Sequence, residues 1–489
     1  MTEQANRLRR NAVGVGAVTF FVVSAAGPLV AIAGGFPIGM MFGDGAGMPA
    51  ALLACVAVLL LFAAGYTAMA RHVVTAGGFY AFAARGLGGI AGGAAAWIAV
   101  VAYNAMQIGI YGMFGTAARA LLLQYLHVDL PWYDYAFAAV VAVAILGYRQ
   151  VDLSAKILGV LVTAEYVAML ILDVAILRAG GAHGITLVSF TPAAALSGSP
   201  AIAILFCFAG FMGFEATTIY GEEARDPERT IPRATYLSVL LIGGFYAFSL
   251  WCLVIGAGVG TIVGELRSLA DPTRFVFDTA VRYVGPWLSA TMSVLFVTSV
   301  FAGLLAFHNA AARYFYALGR DGLLPRSLGR THPRYASPNA GSATQTAIAA
   351  AVVALFALLK LDPVLTLFSW LTNVGTLGVI ALMALSSAAV PVFFARAGGM
   401  LDQGVFRTRI APVVAGLALS VVLVLAVVHF DVLTGSFGAL RIVLPALVFV
   451  AGALGAWRAW AMRRRDPARY ARLGHGVALE TGPAALDPP

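Results

Sequence analysis

Between Ala201 and Ala234 the sequence reads AIAILFCFAGFMGFEATTIYGEEARDPERTIPRA, and its first part is apolar enough to lie in a bilayer. Gly210, Gly213 and a carboxylate, Glu215, fall near the middle of that run on the usual count of about 20 residues per membrane helix. Glycines next to a charge weaken a helix where lipid offers exposed backbone no partner, so the irregular chain must be buried in protein or line a watery cavity. Half-helix ends presented to a small solute are how membrane carriers build their sites. Carbonyls near Phe208–Gly210 and Met212 are placed to accept hydrogen bonds from an ammonium group. A second interruption, Ser24-Ala25-Ala26-Gly27-Pro28, frees backbone groups because proline lacks an N–H and clashes with the preceding turn. There the N–H groups of Ala26 and Gly27, with the positive end of a helix dipole, suit an anionic carboxylate.

The elements that must position these breaks are membrane helices. The chain has 489 residues, 61% hydrophobic and 11% charged, against about a quarter charged in soluble domains. Its 54 glycines fit helices that pack closely in lipid. Cys55, Cys207 and Cys252 lie singly inside apolar runs and read as small core residues, not as a metal set or disulfide framework. The net charge of +9 falls in short loops, so topology explains it better than nucleic acid does. Arg7, Arg9 and Arg10 before an apolar run resemble a signal peptide, but hydrophobicity continues to about Met41, too long for a signal h-region. The first helix is expected to stay.

Runs of membrane length predict twelve spans near 14–41, 47–70, 90–123, 133–149, 154–178, 201–220, 234–259, 286–316, 340–360, 363–394, 410–430 and 438–461. With the N-terminus inside, the opposite face keeps only Arg119, Arg178, Arg267, Arg274, Arg282, Lys360 and Arg441 of the 31 Lys and Arg residues. That bias predicts both termini on the cytoplasmic side of the cell membrane. The segment 466–489 reads as a polar, disordered tail, and Val259–Gly285 as interfacial helices on the outer surface. Residues 74–89 read as a glycine-rich loop on the cytoplasmic side, and Thr230 as the cap of span 7 with Pro232 in its first turn.

Paired breaks five spans apart are the pattern of two inverted five-helix repeats. The chain also carries Gly213-Phe214-Glu215 followed by Gly221-Glu222-Glu223-Ala224-Arg225-Asp226-Pro227-Glu228-Arg229-Thr230-Ile231-Pro232-Arg233-Ala234, then Tyr316-Ala317-Leu318-Gly319-Arg320-Asp321-Gly322-Leu323-Leu324-Pro325, and Gly77-Gly78-Phe79-Tyr80 before span 3. In these motifs and their order it resembles the amino acid–polyamine–organocation (APC) superfamily of permeases. The resemblance implies an all-α polytopic membrane protein with a leucine-transporter-like 5+5 inverted repeat. The parts would be a cytoplasmic segment 1–13, repeats 14–178 and 201–394, peripheral helices 11 and 12 within 410–461, and the tail 466–489.

It also implies a substrate site between spans 1, 6, 3 and 8, with Ser24, Ala26, Gly27, Phe208, Gly210 and Met212 in the breaks. Phe307 stands where the family places an aromatic over the substrate, and Glu215 where it places a group for gating or proton coupling. Tyr103, Asn104 and Gln107 share a face of span 3, and Asn373 and Thr376 are their counterparts in span 10. Near Glu165 many members carry a lysine; here the carboxyl can carry a proton, offer oxygen to Na⁺ or pair with a cationic substrate. Thr298 and Ser299 would add hydroxyls if sodium binds, and His308 can act as a proton relay. The expectation is an amino acid permease working by alternating access, with no cofactor and with H⁺ rather than Na⁺ as coupling ion. A polyamine or ethanolamine-like amine permease is the alternative, since Glu165 and Glu215 bring more negative charge than a zwitterion needs. Expected partners are a small-molecule substrate and the lipid bilayer, with no nucleic acid and no obligatory protein partner. No HxxxH-type spacing or nucleophile constellation supports an enzyme.

Overall fold

The computed structural model describes residues 13–73, 77–149, 155–220, 224–269, 271–333, 335, 337–397, 403–435 and 438–475. Among these the chain is helical, and its extended contact is one parallel bridge between Val13 and Ala224, with Arg225 N–H donating to Val13 O at 2.8 Å.

Span 1 is split. Helix α1 (Val15–Ala26) ends at Gly27, whose φ of 54° is left-handed and whose N–H donates to Val23 O at 3.1 Å. A residue with a Cβ resists that conformation, so glycine ends the helix here at little cost. Pro28 restarts it, and α2 (Val30–Phe42) opens with a π-helical stretch at Val30–Gly35. Span 6 is split too. Helix α8 (Pro200–Gly210) gives way to a turn with Gly213 at φ 104°, followed by a 3-10 segment, Phe214–Tyr220.

The other spans are α3 (Met48–Ala70), α5 (Gly89–Leu126), α6 (Trp132–Arg149), α7 (Ala155–Ala179), α9 (Pro227–Ala257), α12 (Pro286–Asp321), α13 (Asn339–Leu358), α14 (Pro363–Arg396), α15 (Phe406–Val428) and α16 (Leu440–Arg465). Among the described residues nine helices are long and apolar enough to cross a membrane, and Val30–Phe42, Trp132–Tyr148 and Pro200–Gly210 are the shorter apolar ones. Together they account for the twelve expected spans of a multi-pass membrane protein. Short helices α10 (Ile262–Ser268) and α11 (Arg274–Tyr283) occupy the segment expected to hold interfacial helices.

Three local expectations need correction. The stretch read as a glycine-rich loop contains a buried helix, α4 (Phe79–Leu87), because an apolar, helix-compatible run follows Gly77 and Gly78. Span 7 begins at Pro227, and Thr230 is not its cap but lies inside α9 with its hydroxyl on Arg225 O; a proline suits the first helical position. The start of the presumed tail is folded: α17 (Pro467–Ala471) leads to Leu473, which is buried, and Gly474, whose N–H donates to Tyr80 Oη at 2.7 Å. The cluster Glu222-Glu223 and the tail beyond residue 475 lie outside the described residues.

Helix α5 is the central strut, packed against α16, α14, α12, α4 and α6. Its closest crossing is glycine on glycine: a Cβ on Gly455 would lie 2.1 Å from Gly93 O, and one on Gly93 2.5 Å from Gly455 O. Backbones approach this closely only without side chains between them. Gly455→Ala is therefore expected to lower thermal stability by about 1–3 kcal/mol, the cost of overpacking. Gly244→Ala, where a Cβ meets nothing within 4 Å, is expected to be neutral or slightly stabilising. Equal melting temperatures for both variants would contradict the crossing.

Candidate functional site

The two breaks meet. α1 packs on the 3-10 segment of span 6, and α2 packs on α8. Gly210 is the contact point, since a Cβ there would lie 2.6 Å from the Phe36 ring.

At the span 1 break the fold delivers a carboxylate from span 5. Glu165 Oε2 accepts from Leu29 N–H at 3.3 Å and from Ser299 Oγ on α12 at 2.9 Å, while Oε1 is buried with no hydrogen-bond partner. Leu29 lies in the first turn after Pro28, where backbone N–H groups lack intrahelical acceptors. Glu165 thus sits at the positive end of α2, the place an anionic substrate group was expected to take. The Gly27 N–H expected to bind that group is spent on Val23 O. From α9, Tyr246 Oη reaches Ala26 O at 3.4 Å. Ser24 lies in the last turn of α1, and its side chain lies outside the described residues.

At the span 6 break the carboxylate is local. Glu215 Oε2 accepts from Gly213 N–H at 3.0 Å, and Oε1 from Tyr103 Oη on α5 at 2.7 Å. Its main-chain oxygen accepts from Tyr66 Oη on α3 at 3.2 Å, and Tyr66 also bonds the Thr218 hydroxyl. Tyr103 packs on Tyr314 and Phe307 of α12, with ring centroids 4.9 Å and 6.2 Å away. Phe208 and Met212 are buried at the end of α8; the Phe208 and Ala209 carbonyls each already accept one N–H, from Phe211 and Met212. So Glu215, Tyr103 and Phe307 come together across spans 6, 3 and 8, and Glu165 joins spans 5, 1 and 8.

Other candidates fall elsewhere. His308 belongs to a buried polar cluster of the scaffold: its Nε2 is 2.8 Å from Ser342 Oγ on α13, and its Nδ1 3.5 Å from Gln107 Nε2, which also donates to Tyr111 Oη at 2.9 Å. Gln345 of α13 closes the cluster onto Gln107 Oε1. Asn104, Thr298 and Thr376 bond main-chain oxygens one turn back, at Val100, Leu295 and Thr372, as membrane hydroxyls and amides often do.

Sequence reasoning passed over three groups. Tyr66 and Tyr246 read as ordinary aromatics, and only the tertiary packing aims their hydroxyls at the breaks. Asp173, fully buried on α7, accepts from Ser249 Oγ at 2.6 Å; an acid inside an apolar run was the available signal.

With this geometry in place, comparisons with known proteins place the chain. A model of the amino acid permease family matches residues 25–457. The low-affinity putrescine importer PlaP of Escherichia coli (strain K12) is 24% identical over 348 residues, 69% of this chain and 72% of that one. The branched-chain amino acid permease BcaP of Bacillus subtilis (strain 168) is 24% identical over 399 residues, 76% of this chain and 77% of that one. An uncharacterized transporter of Mycobacterium tuberculosis is 28% identical over 316 residues, 64% of this chain and 67% of that one. Among solved structures, a manganese transporter of Eremococcus coleocola superposes over 91% of this chain and 95% of its own at a TM-score of 0.55 and 14% identity, a likeness of fold alone. The split spans and the family match along most of the sequence agree: this chain belongs to the amino acid permease family of APC transporters.

Proposed function

We propose that the protein is a secondary active transporter that takes amino acids across the cytoplasmic membrane by alternating access, with H⁺ as the coupling ion and Glu165 as the group that carries it. The observation that carries this reading is the Glu165 carboxyl between Leu29 N–H and Ser299 Oγ. An ionised Glu165 occupies the positive end of α2 and repels a second carboxylate there. A proton on Glu165 removes that repulsion and leaves the helix end to the α-carboxylate of a substrate. Binding of substrate and proton is thereby linked. Since Thr298 and Ser299 donate their hydroxyls to Leu295 O and Glu165, a proton suits the site better than sodium, which wants several converging oxygens.

The substrate would lie between spans 1, 6, 3 and 8, with Phe208, Met212 and Phe307 around its side chain. Glu215, tied to Tyr103 and Gly213, would tighten or release the span 6 break as the gates alternate. The excess of Lys and Arg on the N-terminal side supports cytoplasmic termini. An amine permease is the second reading. It draws on the unpartnered Glu165 Oε1, which can pair directly with an ammonium group, and on the putrescine importer among the relatives.

In proteoliposomes, Glu165→Gln is expected to abolish substrate-driven proton entry and make residual uptake independent of pH; unchanged proton flux would contradict the coupling role. Competition by putrescine but not by neutral amino acids would decide for the amine reading. Tyr103→Phe leaves Glu215 Oε1 without its donor, and the loss of a hydrogen bond to a charged group, about 1.5–3 kcal/mol, is expected to slow uptake by about tenfold or more. A rate equal to wild type would separate Glu215 from gating.

A further inference from the structure

We infer that Asp173 is the outer carboxyl of a proton-access seam between α7 and α9 that serves Glu165. This rests on the proton-coupled reading above, and adds to it a residue and a route.

The two helices run side by side in the same direction. Tyr166 packs against Phe245 with ring centroids 4.1 Å apart, Asp173 meets Ser249, and Ile176 meets Gly256. The pair is pinned at its far end by Ala182 N–H donating to Ile255 O at 3.0 Å. Along this seam three buried polar atoms on α7 have no hydrogen-bond partner: Glu165 Oε1, Tyr166 Oη and Asp173 Oδ1. Leaving such atoms unpaired costs free energy, and an acid inside the membrane is a functional feature by default. A Ser–Asn pair would join α7 to α9 equally well without a carboxyl, so stitching the helices together does not explain Asp173.

Its position fits a relay. Eight residues separate Asp173 from Glu165, a little over two turns or about 12 Å along the axis and about 80° around it. Asp173 lies nearer the end that carries Arg178, the end placed outside by the distribution of charge. The proton leaves the Asp173 carboxyl, passes the Tyr166 hydroxyl and water, and arrives on Glu165; Asp173 takes its replacement from the outer solution. Each step breaks one O–H bond and forms another. The groups around Asp173 are compatible with this. α9 presents Tyr246 beside Glu165 and Tyr166, then Ser249 and Cys252; α12 presents Ser299 at the Glu165 end, and α1 has no titratable side chain. On α11, Tyr283 Oη is bonded to Gly256 O, while Asp278 and Arg282 pair with Arg274 and Glu265. Arg178 and His183 stand beyond, exposed at the end of the seam.

The test separates proton supply from structure. In proteoliposomes, Asp173→Asn is expected to cut pH-gradient-driven accumulation and substrate-driven proton flux by about tenfold or more, while substrate exchange at equal pH stays within about twofold of wild type. Asp173→Glu should restore the coupled rate. Proton-driven uptake within about twofold of wild type in Asp173→Asn, or a loss of exchange in proportion, would overturn the inference. Should Asp173→Asn prove unstable, Ser249→Ala serves: it is expected to shift the pH profile of uptake with exchange intact, and an unchanged profile overturns the inference. If the wild-type protein itself moves no protons with substrate, the proton-coupled reading has failed instead, and the seam with it.

Discussion

Every backbone N–H and C=O inside hydrocarbon needs a partner, and this protein interrupts two of its apolar helices. The repair is the same at both breaks. A carboxylate accepts a stranded backbone N–H: Glu165 takes Leu29 in span 1, and Glu215 takes Gly213 in span 6. Each acid is also held by a hydroxyl from another span, Ser299 for Glu165 and Tyr103 for Glu215. The breaks are therefore secured by groups whose charge can change.

The remaining polar groups divide by that criterion. His308, Gln107, Gln345 and Ser342 bond one another between α5, α12 and α13, away from either broken backbone. Such a network ties the three helices to one another. Each group keeps one buried oxygen without a partner, Glu165 Oε1 at the span 1 break and Gln345 Oε1 in the cluster. The tail supplies a further tie on the N-terminal side: Tyr80 connects Asp321 at the end of α12 to Gly474, so α4, α12 and the segment after α16 are fastened together.

The breaks were legible because the residues that cause them act locally. Pro28 has no N–H to donate, and Gly27 and Gly213 take positive φ. Membrane spans were legible because their period and length are set by lipid thickness. What a buried acid touches was not legible: Leu29 and Ser299 are 136 and 134 residues from Glu165, and nothing local encodes that meeting. The same limit hid Tyr66 and Tyr246. Helix α4 went unread because Gly77 and Gly78 punctuate the chain more loudly than the nine-residue helix after them. His308 shows the same limit from the other direction. A residue type suited to proton transfer stood in the right span, yet faced away from the breaks, and one residue of helical phase decides which neighbour it meets.

In the proposed coupling, a proton on Glu165 prepares the span 1 break for a substrate carboxylate. Thermal stability of the purified protein against a panel of amino acids and amines, in sodium and in potassium and at two pH values, tests it most directly, because a ligand of the folded state raises apparent stability by mass action. Proton coupling at Glu165 is expected to give a shift with an amino acid that is larger at the lower pH and the same in either salt. A shift that requires sodium, or one produced only by amines without a carboxylate, would contradict it.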